Sequence, residues 1–234
     1  NAGGPWVEDI VRHTVRLNTS ESIRLVQGSH IVTKKLFEHD KAYFFQGEDG
    51  RIIFAIPYEK DFTLIGTTDR DYQGDPKNVT CSDEEKDYLI DFANRYFRDP
   101  ISRDDIVWTY SGVRPLYDDG AKSATAATRD YVLTVNDDGA PLLNIFGGKI
   151  TTYRKLAEQV MAKMIPFVGG SDDWTAGVAL PGGDFKVADR DALVATLKAD
   201  YPFLSDFWAL RLIRAYGTDA ADMLGNAATQ ADLG

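Results

Sequence analysis

The sequence predicts an α+β fold, in which an antiparallel sheet is covered by one amphipathic helix and followed by a wholly helical stretch. Three observations carry this prediction. Between Ile23 and Thr68, short β-branched runs alternate with turns marked by Gly, Asp and Pro. At Ser82, a capping-box spacing to Glu85 opens a segment whose apolar residues recur with helical period. Beyond a glycine-rich boundary near residue 170, only helical periodicity remains.

Element by element, a Gly-Gly-Pro turn precedes helical spacing at Trp6, Val7, Ile10 and Val11. Ile23 to Val26 and His30 to Val32 read as two short strands. Ala42 to Gln46 and Arg51 to Pro57 flank Gly47-Glu48-Asp49-Gly50, whose Asp-Gly is a hairpin signal. Phe62 to Thr67 follows a second turn at Tyr58-Glu59-Lys60-Asp61, which completes a meander. The helix from Ser82 places Tyr88, Leu89, Phe92, Ala93, Tyr96 and Phe97 on one side, suited to covering a face of that meander. Strands resume at Ile106 to Val113, Tyr131 to Val135 and Pro141 to Phe146, the last two joined by Asn136-Asp137-Asp138-Gly139. A helix from Thr151 to Ile165 turns Tyr153, Leu156, Ala157, Val160, Met161 and Met164 inward, with Pro166 as its stop. Helices are then expected over Asp189 to Ala199, Leu204 to Tyr216 with Gly217 closing it, and Asp219 to Leu224.

Composition narrows the function classes. In 234 residues, 44% are hydrophobic and 26% charged, values ordinary for a globular chain. Lys and Arg number 26 against 36 Asp and Glu, which argues against a nucleic-acid surface. No apolar run approaches the roughly 20 residues that span a bilayer. Cys81 is the single cysteine, so no intrachain disulfide forms; it reads as a bystander rather than a nucleophile. His13, His30 and His39 lack ligand spacing, and no metal site is expected. The start at Asn1 without Met and the finish at Gly234 lead us to expect a piece of a longer protein.

Against a net charge of -10, three cations stand out: Arg114 in Ser111-Gly112-Val113-Arg114-Pro115-Leu116, Arg129 in Thr128-Arg129-Asp130-Tyr131, and Lys149 in Phe146-Gly147-Gly148-Lys149-Ile150-Thr151. Gly147 and Gly148 join a buried-looking strand directly to a helix, whose N-terminal N–H groups and partial positive charge suit an anion. Lys149 sits unfavourably against that dipole, which an anionic partner would offset. Two guanidinium groups converging would favour a phosphorylated or carboxylated substrate, although Arg129 beside Asp130 also fits a local pair or turn. Trp108, Tyr110 and Ser111 share a strand with Arg114 and could line a pocket. His30 reads as a buried, hydrogen-bonded histidine ahead of a general base. Thr67-Thr68-Asp69 reads as a strand-end cap, and the acidic runs Ser82-Asp83-Glu84-Glu85 and Ser171-Asp172-Asp173 as solvated.

These segments closely resemble the FAD-dependent respiratory sn-glycerol-3-phosphate dehydrogenases. The shared stretches are Asn1 to Val7 (where the family usually has Ala at the third position), Arg24 to Val32, Ile65 to Asp69, Val107 to Leu116, Ala127 to Tyr131, Phe146 to Arg154 and Leu180 to Gly183. They run in order along nearly the whole chain. The family's N-terminal G-x-G-x-x-G unit has no counterpart here, which marks the chain as the middle and C-terminal part of such an enzyme. The resemblance implies oxidation of sn-glycerol 3-phosphate to dihydroxyacetone phosphate, with electrons passed through FAD to membrane quinone. It implies that Gly147, Gly148, Lys149, Ile150 and Thr151 lie near the flavin, where the helix N-terminus stabilises negative charge on its reduced form. Arg114 and Arg129 would hold the substrate, chiefly its phosphate, and Lys149 could serve either ligand. His30 is the candidate general base within this chain. The implied domains are a remainder of the FAD-binding α/β domain (1–22 and 114–170), an antiparallel substrate cap (23–113) and the start of a C-terminal helical domain (171–234). FAD belongs to the full-length protein, and the fragment alone is expected to lack it and to be inactive. The full-length protein would lie peripherally on the cytoplasmic face of the inner membrane, with homodimerisation left open. Alternatives are a glycerol-phosphate oxidase using oxygen, a non-catalytic binding fragment, and an amine- or amino-acid-oxidising relative.

Overall fold

A computed structural model describes residues 1–48, 50–123, 127–171 and 173–233, and they form a mixed helix and antiparallel-sheet protein. Two units separate at residue 171, each with its own core. Asp49, the first half of the expected Asp-Gly signal, and Asp172 of the second acidic run lie outside the described residues.

In the first unit, residues 4–15 are helical, with a single α turn α1 (Val7–Asp9) that tightens before it and widens after it. The expected strands at Ile23 and His30 are one continuous strand, β1 (Ile23–Lys34). Gly28 does not interrupt it, because both of its edges are paired nearby and the missing Cβ leaves room for a guanidinium. The meander follows as β2 (Tyr43–Gln46), β3 (Ile52–Tyr58) and β4 (Phe62–Gly66), and then a short strand that the sequence does not predict, β5 (Arg70–Asp71), which pairs with β1. Next come α2 (Asp83–Asn94) and β6 (Ile106–Tyr117). The sheet order is β2-β3-β4-β1-β5, with β6 along the other side of β1. β4 and β5 thus succeed one another on one edge of β1, at His30–Lys34 and at Val26–Gln27.

The capping box is formed as expected: Ser82 Oγ accepts from Glu85 N at 3.3 Å, and Glu85 Oε2 accepts from Ser82 N at 3.0 Å. Leu89, Ile90, Phe92 and Ala93 then pack on Ile31, Ile53, Ala55 and Ile65, so α2 covers one sheet face. The opposite face stays open and aromatic, with Phe44, Phe54, Trp108 and Tyr110 partly in solvent. β6 is four residues longer than the sequence predicts. It carries Pro115 within the strand and stays in register with β1 from Tyr117 to Ile106, save for one irregularity at Val32–Thr33.

β7 (Val132–Asn136) and β8 (Leu142–Phe146) form the expected hairpin. Asn1 lies beside β8: its amino group donates to Leu143 O at 2.7 Å, and Ile145 N donates to Asn1 O at 3.0 Å. The helix α3 (Tyr153–Val168) differs from expectation twice. Pro166 does not stop it; residues after a proline can still bond backwards, and Gly169, at φ 72°, is the true end. Its apolar side is not a core either. Tyr153, Ala157 and Met161 are exposed and Leu156, Val160 and Met164 half-buried, while the buried residue is Glu158, held by Arg154 and Lys155 at 2.8 Å each.

The second unit contains α4 (Arg190–Asp200), α5 (Asp206–Tyr216) and α6 (Ala220–Leu224) around Leu197, Leu204, Ala209, Ile213, Ala220 and Leu224. Helix α5 starts two residues later than predicted because Ser205 is its cap, accepting from Trp208 N at 3.2 Å. Gly217 closes α5 with φ 57°, as expected.

Candidate functional site

The site is built on the open sheet face, where strand alternation puts Trp108, Tyr110, Gly112 and Arg114 of β6 beside Gly28 and His30 of β1. Two glycines make room for the two functional side chains. A Cβ at Gly28 would meet the Arg114 guanidinium, and a Cβ at Gly66 would meet the His30 ring. A cavity of about 220 Å³ is lined by Gly28, His30, Tyr110, Gly112 and Arg114. Trp108 lies outside it, although its ring is 5.4 Å from that of Tyr110; Ser111 lines it as expected, with its hydroxyl 2.7 Å from Ser29 Oγ.

Arg114 and Arg129 converge, and they do so on one carboxylate. Arg114 Nη1 donates to Asp69 Oδ1 at 2.9 Å and Arg114 Nη2 to Thr67 Oγ1 at 3.1 Å. Arg129 Nη2 donates to Asp69 Oδ2 at 3.4 Å, so its partner is Asp69 rather than the adjacent Asp130. Burial and the like charge of Arg129 oppose the charge on Arg114, and Asp69 favours it. A guanidinium remains cationic through perturbations of this kind. Two cations on one carboxylate leave one positive charge unmatched, and Arg114 lines the cavity. Such an arrangement can take an anion.

Gly147 and Gly148 bring the third context to the same place. Their φ values of 72° and 107° belong to the left-handed half of backbone space, which side chains strain to enter. A Cβ at Gly147 would stand 3.2 Å from Asp130 O and 3.6 Å from Pro115 O, so this turn packs against the residues that follow both arginines. Lys149 and Thr151 are exposed, and Ile150 is 88% exposed. No side chain caps the helical turn they begin or the start of α3. The structure therefore joins Arg114, Arg129 and the Gly147–Gly148 turn, while no contact ties Lys149 to either arginine among the described residues.

His30 stacks on Tyr110, with ring centroids 4.8 Å apart and planes 7° from parallel. Contrary to expectation it is not a satisfied core histidine: its buried Nδ1 has no hydrogen-bond partner among the described residues. Burial, and then the charge on Arg114, push its pKa below the ordinary histidine value. A neutral imidazole beside a cation site can accept a proton. Cys81 is different: burial and the nearby Glu85 push its thiol up, which disfavours the reactive thiolate.

Three residues escaped the sequence reading. Thr67 and Asp69 were expected only as a strand-end cap, yet both contact Arg114. The unmet need of two arginines for a counterion was the available signal. Glu85 was placed in a solvated acidic run, yet it is 5% exposed and bonded to Thr68 and Gln27 at 2.6 and 2.7 Å. Among the described residues there is no cluster of three or more His, Cys, Asp and Glu that could hold a metal, and no helix long and apolar enough to cross a membrane.

Residues 1–154 match the model of a family described as FAD dependent oxidoreductase. The chain is 48% identical over 237 residues to the aerobic glycerol-3-phosphate dehydrogenase of Escherichia coli (strain K12), covering 100% of this chain and 47% of that protein. It is 43% identical over 238 residues to the D-erythritol 1-phosphate dehydrogenase of Brucella abortus (strain 2308), covering 100% of this chain and 47% of that protein. Among solved structures, the glycerol-3-phosphate dehydrogenase from Bacillus halodurans complexed with FAD superposes with a TM-score of 0.77 at 29% identity, over 96% of this chain and 44% of that one. The chain spans about half the length of the curated relatives it matches.

Proposed function

This chain belongs to the FAD dependent oxidoreductase family, and from that premise we propose that it is the substrate-binding portion of an enzyme oxidising sn-glycerol 3-phosphate to dihydroxyacetone phosphate. The observation that carries the proposal is the convergence of Arg114 and Arg129 on Asp69 beside the Gly147–Gly148 turn. In this reading residues 23–113 are the substrate cap, 1–22 and 114–170 belong to the flavin domain, and 171–234 begin a helical domain. The full-length enzyme hands its electrons to membrane quinone from the cytoplasmic face of the inner membrane, as a peripheral protein.

The chain's residues fit a flavin. Gly147 and Gly148 offer bare backbone at positive φ, and the turn that follows keeps its N-terminal donors free of any side-chain cap. Gly147, Gly148, Lys149, Ile150 and Thr151 would hold the ring system, and FAD when bound supplies the acceptor for the substrate's C2 hydride. Arg114 and Arg129 bind the phosphate with the excess charge that Asp69 leaves unmatched. His30, kept neutral by burial, takes the proton of the C2 hydroxyl.

The erythritol-phosphate relative favours a second reading in which the substrate is a longer polyol phosphate held by the same arginines. Comparing kcat/KM for sn-glycerol 3-phosphate and D-erythritol 1-phosphate decides between them. In the full-length enzyme, Arg114→Ala and Arg129→Ala should each lower kcat/KM by roughly 2–4 kcal/mol of transition-state stabilisation. Unchanged kinetics in both variants would sink the phosphate clamp. For the chain alone, dialysis after FAD addition followed by visible absorbance tests the flavin contact. A retained, perturbed spectrum would place ring contacts in residues 147–151; loss of the flavin would assign tight binding to the rest of the enzyme.

A further inference from the structure

Glu85 lies on the covered side of the sheet and Arg114 on the open side, yet one short segment connects them. Between β4 and β5, residues Thr67, Thr68 and Asp69 run past Ser29 of β1 without regular pairing. At Thr68 the side chain replaces the backbone in the ladder. Ser29 N donates to Thr68 Oγ1 at 2.9 Å, while Thr68 N donates to Ser29 O at 3.3 Å. A threonine hydroxyl has one proton, and here it goes to Glu85 Oε1 at 2.6 Å. The flanking side chains meet the arginines instead. Thr67 Oγ1 accepts from Arg114, and the Asp69 carboxylate accepts from Arg114 and Arg129. Thr68 is therefore the peg, and its two neighbours form the socket that holds the guanidinium groups.

Glu85 makes more bonds than a helix cap requires. The capping box uses only its bond from Ser82 N, and such a glutamate normally keeps its other oxygen in water. Here the carboxylate also takes Thr68 Oγ1 and, at 2.7 Å, Gln27 Nε2, and Gln27 in turn donates to Thr80 O at 2.8 Å. A buried carboxylate is costly unless its lone pairs are filled, and these donors from β1, from the 67–69 segment and from the helix cap fill them. Any of those donors could have been left out if capping were the whole task.

We infer that Glu85 is a positioning residue for the arginine pair: through Thr68 it fixes the 67–69 segment and hence the direction of Arg114 and Arg129. The inference rests on the reading that these arginines hold the substrate phosphate, so its test has an arm independent of substrate. In the ligand-free 234-residue chain labelled with ¹⁵N-arginine, the Nε–Hε signals of Arg114 and Arg129 are assigned with Arg114→Lys and Arg129→Lys. Glu85→Gln keeps the shape but turns an amide NH₂ toward donors; Thr68→Val keeps the volume but removes the hydroxyl; Thr68→Ser restores it. Glu85→Gln and Thr68→Val should shift both arginine signals, their double variant should shift them no further, and Thr68→Ser should leave them in place. Arginine signals unmoved by Glu85→Gln or by Thr68→Val, with only the melting temperature lowered, would reduce Glu85 to a helix cap and overturn the inference. If Glu85→Gln does not fold, Thr68→Val against Thr68→Ser decides alone.

The second arm uses the full-length flavoenzyme. Thr68→Val should raise KM for sn-glycerol 3-phosphate about tenfold or more with kcat nearly unchanged, as loss of uniform binding does, and Thr68→Ser should recover it. Shifted arginine signals with an unchanged KM would uphold the positioning of Arg114 and remove the phosphate-clamp reading.

Discussion

Asp69 carries the electrostatics of the site at the scale of single residues. It pairs with both guanidinium groups and neutralises one of their two charges, which leaves one positive charge unmatched beside the cavity that Arg114 lines. His30 shares that field, and its neutrality has a measurable consequence. Its folded pKa is depressed, so between that value and the unfolded value of about 6.5 the unfolded chain binds more protons than the folded one. Stability is therefore complete above about pH 6.5 and is lost as pH falls through the folded pKa. His30→Phe, which keeps a ring against Tyr110, should flatten this part of the profile. Urea midpoints from pH 5 to 7.5, taken as wild type minus variant, test it; identical slopes would mean that the imidazole is not held neutral. The cations and the glycines of this site were legible because Arg, Lys and Gly-Gly announce their chemistry locally. Asp69 was not, since an Asp after Thr-Thr at a strand end looks the same whether it caps a turn or meets two arginines.

At the scale of elements, the start of α2 was readable to the residue because its cap signal is local, whereas the helix ends at Asn94, before the Tyr96 and Phe97 that its apolar period includes. Removing the cap with Ser82→Ala should cost about 1 kcal/mol, read from denaturant midpoints at constant m-value. A loss well above that would show that the Ser82 side chain also holds the Glu85 network in place, since the backbone N–H that donates to the same carboxylate is kept in the variant. β1 was less legible. Gly28 looks like a break in a one-dimensional reading, and only the pairing on both edges and the Arg114 guanidinium above it explain an unbroken strand. The helix α3 was misjudged for a related reason. Its apolar spacing is genuine, but spacing states which side would be buried, not whether anything covers it.

The whole molecule divides into two units with separate cores, one between the sheet and α2 and one among α4, α5 and α6. Leu89→Ala and Leu197→Ala should each cost about 2–5 kcal/mol, because both truncate buried core side chains. Hydrogen exchange should report the first loss in residues 1–171 and the second in 172–234; loss of protection across both units from either change would show one cooperative fold. By itself the sequence determined the α+β character, the order of the elements, the capping box and the chemical identity of the arginines, since periods, caps and side-chain charge are local properties. Only the tertiary structure decided that Arg114 and Arg129 share Asp69, and that Glu85 reaches the same segment from behind. Arg114 lies 45 positions from Asp69 and Arg129 lies 60, so no local pattern links them. They meet because β1 takes β4 and β5 on one edge and β6 on the other, which brings distant stretches of chain within the few ångströms over which a hydrogen-bonded ion pair acts.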